Sequence, residues 1–288
     1  MRGKTIDILK KAMKQGYAVG AFNTSDMQFT QGIVWAAKKT GKSLIIQVTP
    51  SSIKYAGAKV IGQIVQAVID SQSGDVPVGF HLDHGKTFDD VVMAIEEVGV
   101  DSVMIDASTK SLEENIRITK KVVEYAHQHN VTVQAELGRV PYLGREGYNV
   151  DWDDVMTKPE DAEKLVTETG VDALAVGIGN AHGFFQERDV PDWERLEKIK
   201  KLIPNTPLVL HGASDWNDGK LKEAVARGIV CFNVDTDLRL TYFDAFCQQI
   251  IPKCDFMDPR KILTVVREAV QDKVEEKVVM FGEILHQN

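Results

Sequence analysis

Short apolar runs alternate with amphipathic stretches along almost the whole chain. The runs are five or six residues long, and several are apolar on both faces, as parallel strands covered by helices are. The segments between them place apolar residues at helical spacing, as residues 89–99 and 112–129 do. The pattern predicts eight βα units with strands at 17–22, 43–48, 76–80, 101–105, 131–135, 173–178, 207–211 and 228–233.

Eight such units in 288 residues favour an α/β fold of the TIM (β/α)8 barrel type, with a C-terminal helical extension. A doubly wound open sheet is the alternative. That fold more usually has a Gly-rich phosphate turn after its first strand, and the segment "AFNTSD" at 21–26 is not one. No linker or low-complexity segment interrupts the pattern, so we expect one domain over residues 1–288.

Composition and charge exclude several classes of function. The net charge is −8 and no basic tract is present, which argues against a nucleic-acid partner. No stretch approaches the roughly 18 apolar residues of a membrane span, so no membrane association is expected. The cysteines are odd in number, lack metal-ligand spacing and follow no secretory signal, which favours the reducing cytoplasm. They are Cys231, Cys247 and Cys254.

A polar side chain stands at the carboxyl end of every predicted strand. In a TIM barrel these ends meet at one rim, which carries the active site. Each residue alone is compatible with a cap or a turn, but the full set predicts a functional site to which Asn23 and Thr49 contribute substrate contacts. The set is Asn23, Thr49, Asp83 with His84, Asp106, Glu136, His182, His211 and Asn233.

Three histidines in this set come from different strands and predict a divalent metal site with positions left for substrate. They are His84, His182 and His211. Ligand type makes Zn²⁺ the default, with cobalt, manganese and iron as alternatives. Asp106 and Glu136 are expected to orient the ligand imidazoles or to hold the metal at an alternate position. Asp83 is expected to face the substrate, whereas His81 either supports the ligands or packs in the core.

The loops after the seventh and eighth strands carry signals for phosphate binding. Barrels often bind phosphate there with loop N–H groups and a helix N-terminus. Gly183 and Gly212 each follow a histidine and permit close backbone approach. Ser214 and Thr236 offer hydroxyl groups. Ordinary turn chemistry is the alternative for each loop taken alone.

Five ordered motifs resemble the class II, metal-dependent ketose-bisphosphate aldolases, a family that includes fructose- and tagatose-bisphosphate aldolases. The motifs are "HLDHGKTFDDVVMAIEEVGVDSVMIDAS", "VQAELG", "GIGNAHG", "LVLHGAS" and "CFNVDTDLR". The resemblance implies reversible cleavage of a fructose or tagatose 1,6-bisphosphate type of ketose into dihydroxyacetone phosphate and an aldehyde. The implied intermediate is a zinc-stabilised enediolate. A homodimer or homotetramer and a bound Na⁺ or K⁺ are also implied.

The resemblance also implies roles for individual residues. It makes Asp83 the acid/base for the C4 hydroxyl and Glu146, in the loop after "ELG", the group that exchanges the C3 proton. It makes Arg260 an arginine that reaches the far phosphate, often across a subunit contact. The metal ligands would be His84, His182 and His211, with Asp106 and Glu136 beside them. The pocket for the dihydroxyacetone phosphate half would comprise Gly183, Gly212, Ser214, Asn233, Asp235 and Thr236.

Three departures from the family pattern leave the metal chemistry intact, but they leave the identity of the sugar undetermined. Arg145 precedes Glu146 in a lengthened loop, Gln186 stands where a lysine is common, and Asp215 stands where a glycine is usual. A different ketose 1-phosphate is therefore an alternative substrate. A three-histidine hydrolase or isomerase, and a binding protein on an aldolase scaffold, are competing functional classes. No lysine ends a predicted strand, which argues against a Schiff-base aldolase.

Overall fold

A computed structural model describes residues 1–141, 151–181, 191–212, 214, 216–250 and 258–282. Eight parallel strands pair in chain order and close into a barrel, so the predicted TIM barrel is confirmed. Each strand begins within two residues of its predicted first residue. The strands are β1 Val19–Asn23, β2 Leu44–Val48, β3 Val78–Gly85, β4 Ser102–Ile105, β5 Thr132–Leu137, β6 Ala173–Val176, β7 Leu208–Leu210 and β8 Ile229–Val234.

Helices connect the strands and cover the barrel. Side-chain caps start several of them: Asp26 accepts a hydrogen bond from the Phe29 N–H at 2.9 Å, and Thr87 forms a capping box with Asp90. The described helices are α1 Thr5–Gln15, α2 Met27–Thr40, α3 Pro50–Ala56, α4 Ala58–Gln72, α5 Phe88–Met93 with a π-helical continuation Ala94–Val98, α6 Leu112–Gln128, α7 Trp152–Val155, α8 Pro159–Thr169, α9 Trp193–Leu202, α10 Asp218–Ala226, α11 Thr236–Ile250 and α12 Pro259–Phe281.

The strands bury side chains on both faces, which explains their apolar sequence pattern. Outward residues such as Phe22 and Leu82 pack beneath the helices. Small and medium side chains such as Ala21, Ala175 and Val209 fill the barrel interior, where Ile8, Leu9 and Ala12 of α1 join them. Apolar packing therefore fills the floor of the barrel and leaves the polar residues at the carboxyl ends.

The long helix α12 is the predicted C-terminal extension. It packs against α2 and α11. Its buried positions follow the i, i+3, i+4 spacing of one face of an amphipathic helix. They are Val266, Val270, Val274, Lys277, Val278 and Phe281. Among the residues described, no helix combines the length and apolar composition needed to cross a membrane.

Strand β3 is longer and less regular than its sequence predicts. It continues through the "HLDHG" segment to Gly85 rather than ending at residue 80. Its register against β4 shifts between Leu82 and Gly85, and His84 has a φ of 52°, in the left-handed region. Neighbouring side chains of a regular strand point to opposite faces. The bulge at His84 breaks that alternation, and consecutive residues Asp83 and His84 both reach the barrel mouth.

Replacing Gly85 with alanine is expected to lower the midpoint of thermal unfolding. The new Cβ would lie 2.7 Å from the carbonyl oxygen of Met104 and 2.9 Å from the Leu82 side chain. Overpacking of this kind destabilises by roughly 1–3 kcal/mol. The matched control is Gly219→Ala in α10, where the nearest neighbour is the Asn217 side chain at 3.3 Å. Equal midpoints for the two variants would contradict this description of the bulge.

Candidate active site at the carboxyl end of the barrel

Two histidines from opposite parts of the barrel face each other at its mouth. The Nε2 atom of His84 lies 3.0 Å from the Nδ1 atom of His211. Two nitrogens bound to one tetrahedral zinc at about 2.0–2.1 Å lie about 3.3 Å apart. The Asp83 Oδ1 atom is 3.9 Å from the same Nε2 atom. One donor atom from each of these three residues falls within 4.8 Å of the others. A small outward adjustment of the rings would let one cation bind between them.

A second set of donors adjoins the first and shares His84. The Nδ1 atom of His84 lies 3.0 Å from Asp106 Oδ2 and 4.0 Å from Glu136 Oε2. Glu136 is 2% exposed, and its Oε2 has no hydrogen-bond partner among the described residues. A buried carboxylate oxygen without a partner is unfavourable unless a cation or a proton satisfies it. Imidazole and carboxylate donors suit a divalent metal such as zinc, so the residues fit a metal ion.

The carboxylates make the mouth a favourable place for positive charge. Burial disfavours the charged form of His84, but Asp83, Asp106 and Glu136 outweigh it and raise the pKa of His84 to about 9. Burial likewise opposes ionisation of Asp106, yet His84 and Lys86 hold the pKa of that carboxyl well below its usual range. Burial, reinforced by the charge of Asp106, raises the pKa of Glu136 to about 7.

Asp83 is held by amide groups from two other strands. Asn23 donates to its Oδ2 at 3.0 Å and Asn233 donates to its Oδ1 at 3.1 Å. Gln47 in turn donates to the Asn23 side-chain oxygen at 2.5 Å. Burial opposes ionisation, but His84, His211 and the Asn23 hydrogen bond lower the pKa of Asp83. The carboxylate is therefore fixed in position and ionised at neutral pH.

His211 is fixed through its backbone as well as its ring. Its carbonyl oxygen accepts a hydrogen bond from Asn180 Nδ2 at 2.8 Å, and Asn180 Oδ1 accepts one from the Ile178 N–H at 2.7 Å. The ring Nε2 lies 3.2 Å from both Gln134 Nε2 and Asn233 Nδ2. Asn180 therefore joins the loop after β6 to the end of β7.

Sequence reasoning missed four residues that support the site: Gln47, Lys86, Gln134 and Asn180. Gln47 and Gln134 are polar residues in otherwise apolar strands, at inward positions two residues from Ile45 and Glu136. Because side chains alternate between the two faces of a strand, a polar residue at an inward position can be recognised from the sequence. Asn180 lies inside the "GIGNAHG" motif, two residues before His182.

As expected, no described strand ends in a lysine, but a lysine comes directly after β3. The strand continues to Gly85, and Lys86 follows it directly. Its amino group hydrogen-bonds to Asp106, and its side chain is 58% exposed. A Schiff-base lysine must present a free amine to the substrate carbonyl. Lys86 instead completes the environment of Asp106, and this pairing disfavours a Schiff base at Lys86.

His81 packs inside the barrel. Its Nδ1 atom lies 2.9 Å from the Ser102 hydroxyl, and the residue is buried. Burial lowers the pKa of His81 to about 4, so its ring is neutral at neutral pH. Of the two roles open from the sequence, packing is the one supported by these contacts.

A cavity of about 420 Å³ opens beside Asn23. Three residues predicted to contact substrate, Asn23, Thr49 and Asp235, line it. Thr49 also caps α3 by accepting from the Ser52 N–H at 3.1 Å. Aromatic residues and one arginine complete much of the wall: Tyr55, Tyr242, Phe243 and Arg239. Because Asn23 lines this cavity and also hydrogen-bonds to Asp83, the cavity adjoins the histidine cluster.

Four of the residues predicted to bind phosphate lie after two neighbouring strands, β7 and β8. Gly212, with a φ of 66°, and Ser214 follow β7. Asp235 and Thr236 follow β8, and Thr236 is the first residue of α11. Arg260 is the second residue of α12, and its exposed guanidinium hydrogen-bonds to Asp258. Several further predicted positions lie outside the described residues: Glu146, His182 and Gly183, and the departures Arg145, Gln186 and Asp215.

The closed barrel with its polar carboxyl-end rim places the chain among the TIM-barrel enzymes. The family model "Fructose-bisphosphate aldolase class-II" matches residues 3–284. The chain belongs to this family.

Similar proteins agree with that assignment. A fructose-bisphosphate aldolase of Thermus caldophilus is 38% identical, with 97% of each chain covered. A probable fructose-bisphosphate aldolase of Bacillus subtilis is 36% identical, with 96% of each covered. Among solved structures, the YdjI aldolase of Escherichia coli K12 superposes with a TM-score of 0.86 at 28% identity, and each chain is covered completely.

His211→Ala is expected to weaken divalent metal binding by at least about 100-fold, because it removes one of two facing imidazoles. The measurement is a Zn²⁺ or Co²⁺ titration of metal-free protein in competition with a chelator. His129→Ala is the matched control, since His129 lies exposed at the end of α6. Unchanged affinity in the His211 variant would contradict a metal site at this position.

Proposed function

We propose that the protein is a metal-dependent aldolase that reversibly cleaves a phosphorylated ketose into dihydroxyacetone phosphate and an aldehyde. The substrate is of the fructose or tagatose 1,6-bisphosphate type. One observation carries the proposal: an amide-fixed carboxylate, Asp83, lies beside the facing imidazoles of His84 and His211. Family membership supports the same chemistry.

The metal in this proposal is Zn²⁺, with another divalent ion possible in its place. His84 and His211 hold it, and His182 completes the ligand set. Asp106 orients His84 through the 3.0 Å contact to Nδ1. Glu136 offers Oε2, which has no hydrogen-bond partner within the described part of the chain, as an alternate ligand. When bound, the metal supplies a Lewis acid that stabilises negative charge on the three-carbon fragment.

Asp83 acts as the acid/base at the C4 hydroxyl of the ketose. It removes the hydroxyl proton in cleavage and returns it in condensation. The amides of Asn23 and Asn233 hold both of its oxygens. Its lowered pKa supports the ionised form that a base requires. Glu146 is proposed to exchange the proton at C3 of the fragment.

The phosphate of the dihydroxyacetone phosphate half binds between the loops after β6, β7 and β8. Loop N–H groups and the N-terminus of α11 favour an anion there. The residues assigned to this pocket are Gly183, Gly212, Ser214, Asn233, Asp235 and Thr236. Asn23 and Thr49 contact the aldehyde half, and Arg260 binds the far phosphate across a subunit contact. A Na⁺ or K⁺ ion is proposed near the same loops.

The remaining proposals concern organisation in the cell. All 288 residues form one barrel domain, supported by the family match from residue 3 to 284. The protein is proposed to assemble as a homodimer or homotetramer, as the family resemblance implies. It acts in the cytoplasm, supported by its cysteine content.

A second candidate substrate is a different ketose 1-phosphate. The cavity beside Asn23 favours it, because the guanidinium of Arg239 there lies 3.4 Å from the carboxylate of Asp235. A guanidinium that is already paired with a carboxylate binds the second phosphate of a bisphosphate substrate less well. The exposed aromatic rings of Tyr55 and Phe243 would suit an aldehyde with less charge.

Asp83→Asn is expected to lower kcat by about 10²–10⁴-fold while the metal content stays unchanged. The substitution keeps the shape of the side chain but removes the base. Asp89→Asn is the matched control, since Asp89 is an exposed residue in the first turn of α5. A variant at position 83 with normal kcat would contradict the acid/base assignment.

The function itself is tested by a cleavage panel on zinc-loaded protein with and without chelator. Fructose 1,6-bisphosphate, tagatose 1,6-bisphosphate and several ketose 1-phosphates are compared by release of dihydroxyacetone phosphate. Chelator-sensitive release from one of them is expected, and its identity selects between the two substrate candidates. A metal-replete protein that cleaves none of them, and does not exchange the C3 proton of dihydroxyacetone phosphate with solvent, would contradict the proposal. That result would favour a hydrolase, an isomerase or a binding protein.

A further inference from the structure

Helix α12 buries a lysine on its apolar face. Lys277 is 6% exposed and lies between Val274 and Phe281 on the side of the helix that packs against the barrel. Lysine is almost never fully buried unless it is paired, because its ammonium loses hydration. A leucine or methionine would fill the same place without that penalty. A role for the positive charge would therefore explain why a lysine occupies this position.

The ammonium of Lys277 joins two segments that are distant in sequence. Its Nζ atom lies 2.6 Å from Asp237 Oδ2, and both side chains are nearly buried. The same atom lies 3.4 Å from the carbonyl oxygen of Ser214. Asp237 belongs to the first turn of α11 and follows Thr236. Ser214 belongs to the loop after β7. One cation on a third element thus contacts both of these segments.

The two segments carry four of the groups assigned to the phosphate pocket. Gly212 and Ser214 are on one side, and Asp235 and Thr236 are on the other. An anion bound between two loops is held well only if their N–H and O–H groups are already at the right spacing. One buried ammonium makes both an ion pair with Asp237 and a hydrogen bond to the Ser214 carbonyl, and these two contacts fix that spacing before the ligand arrives.

We propose that Lys277 is a positioning residue that holds the loop after β7 and the first turn of α11 together, so that they bind the phosphate of the three-carbon fragment. The inference rests on the proposed function. Lys277 acts through Ser214 and Asp237 rather than by touching the substrate. A lysine with a merely structural role would change the stability of the protein and leave phosphate affinity unaltered in every variant that folds.

The test uses metal-loaded protein, three variants at the Lys277–Asp237 pair and one matched control. Lys277→Met alone leaves Asp237 buried without its partner, which is strongly destabilising. The double variant Lys277→Met with Asp237→Leu removes both charges, and apolar replacement of a buried pair is often neutral or stabilising. Lys277→Arg keeps a cation at the site. Lys273→Met is the matched control, one turn earlier on α12, where the lysine pairs with Glu276 near the surface.

Affinity is measured by calorimetry with dihydroxyacetone phosphate and with inorganic phosphate, alongside metal content, thermal unfolding and the separate values of KM and kcat. The double variant is expected to fold and to hold its metal. It is expected to bind dihydroxyacetone phosphate about tenfold or more weakly, with a larger change in KM than in kcat. Lys277→Arg is expected to recover most of the affinity, and Lys273→Met to match the wild type.

Two outcomes overturn the proposal in different ways. A folded double variant that binds dihydroxyacetone phosphate as tightly as the wild type contradicts the role of Lys277 and leaves the proposed function standing. A wild-type protein that holds metal but binds neither ligand contradicts the proposed function and the inference with it. If Lys277→Met does not fold, the test is unchanged, because the decisive measurement is made on the double variant.

Discussion

The arrangement of the barrel mouth depends on compensation of buried negative charge. Asp83, Asp106 and Glu136 are all nearly inaccessible to solvent, yet they lie around a single imidazole, that of His84. Carboxylates this close repel one another unless positive charge lies between them. The raised pKa values of His84 and Glu136 express that constraint. A divalent cation would satisfy it more completely than a proton does, because it would contact the facing His211 as well.

The fold meets this requirement with local irregularity on a rigid frame. Apolar packing fixes the floor of the barrel, whereas β3 departs from regular geometry at its carboxyl end. The left-handed backbone at His84 brings it to the same opening as Asp83. Gly85 makes the close approach to β4 possible. Strain of this kind is typical of functional sites, where the surrounding structure holds an unfavourable conformation in place.

Much of this architecture was predictable from the sequence, and the exceptions share a physical cause. Eight strands were predicted because burial on both faces makes them apolar throughout. The end of β3 was missed because a bulge depends on pairing with β4, which local pattern does not record. Gln47 and Asn180 act through partners distant in the chain. Lys277 had a signal, since its spacing places it on the apolar face of α12, but its partners depend on tertiary packing.

The central claim is that one divalent cation binds between His84 and His211 beside Asp83. Anomalous diffraction at the zinc absorption edge, from crystals of zinc-loaded protein, tests it most directly. We predict a strong anomalous peak within about 2.0–2.1 Å of His84 Nε2 and His211 Nδ1. A zinc-replete crystal whose anomalous signal lies elsewhere, with these two nitrogens still hydrogen-bonded to each other, would contradict the claim.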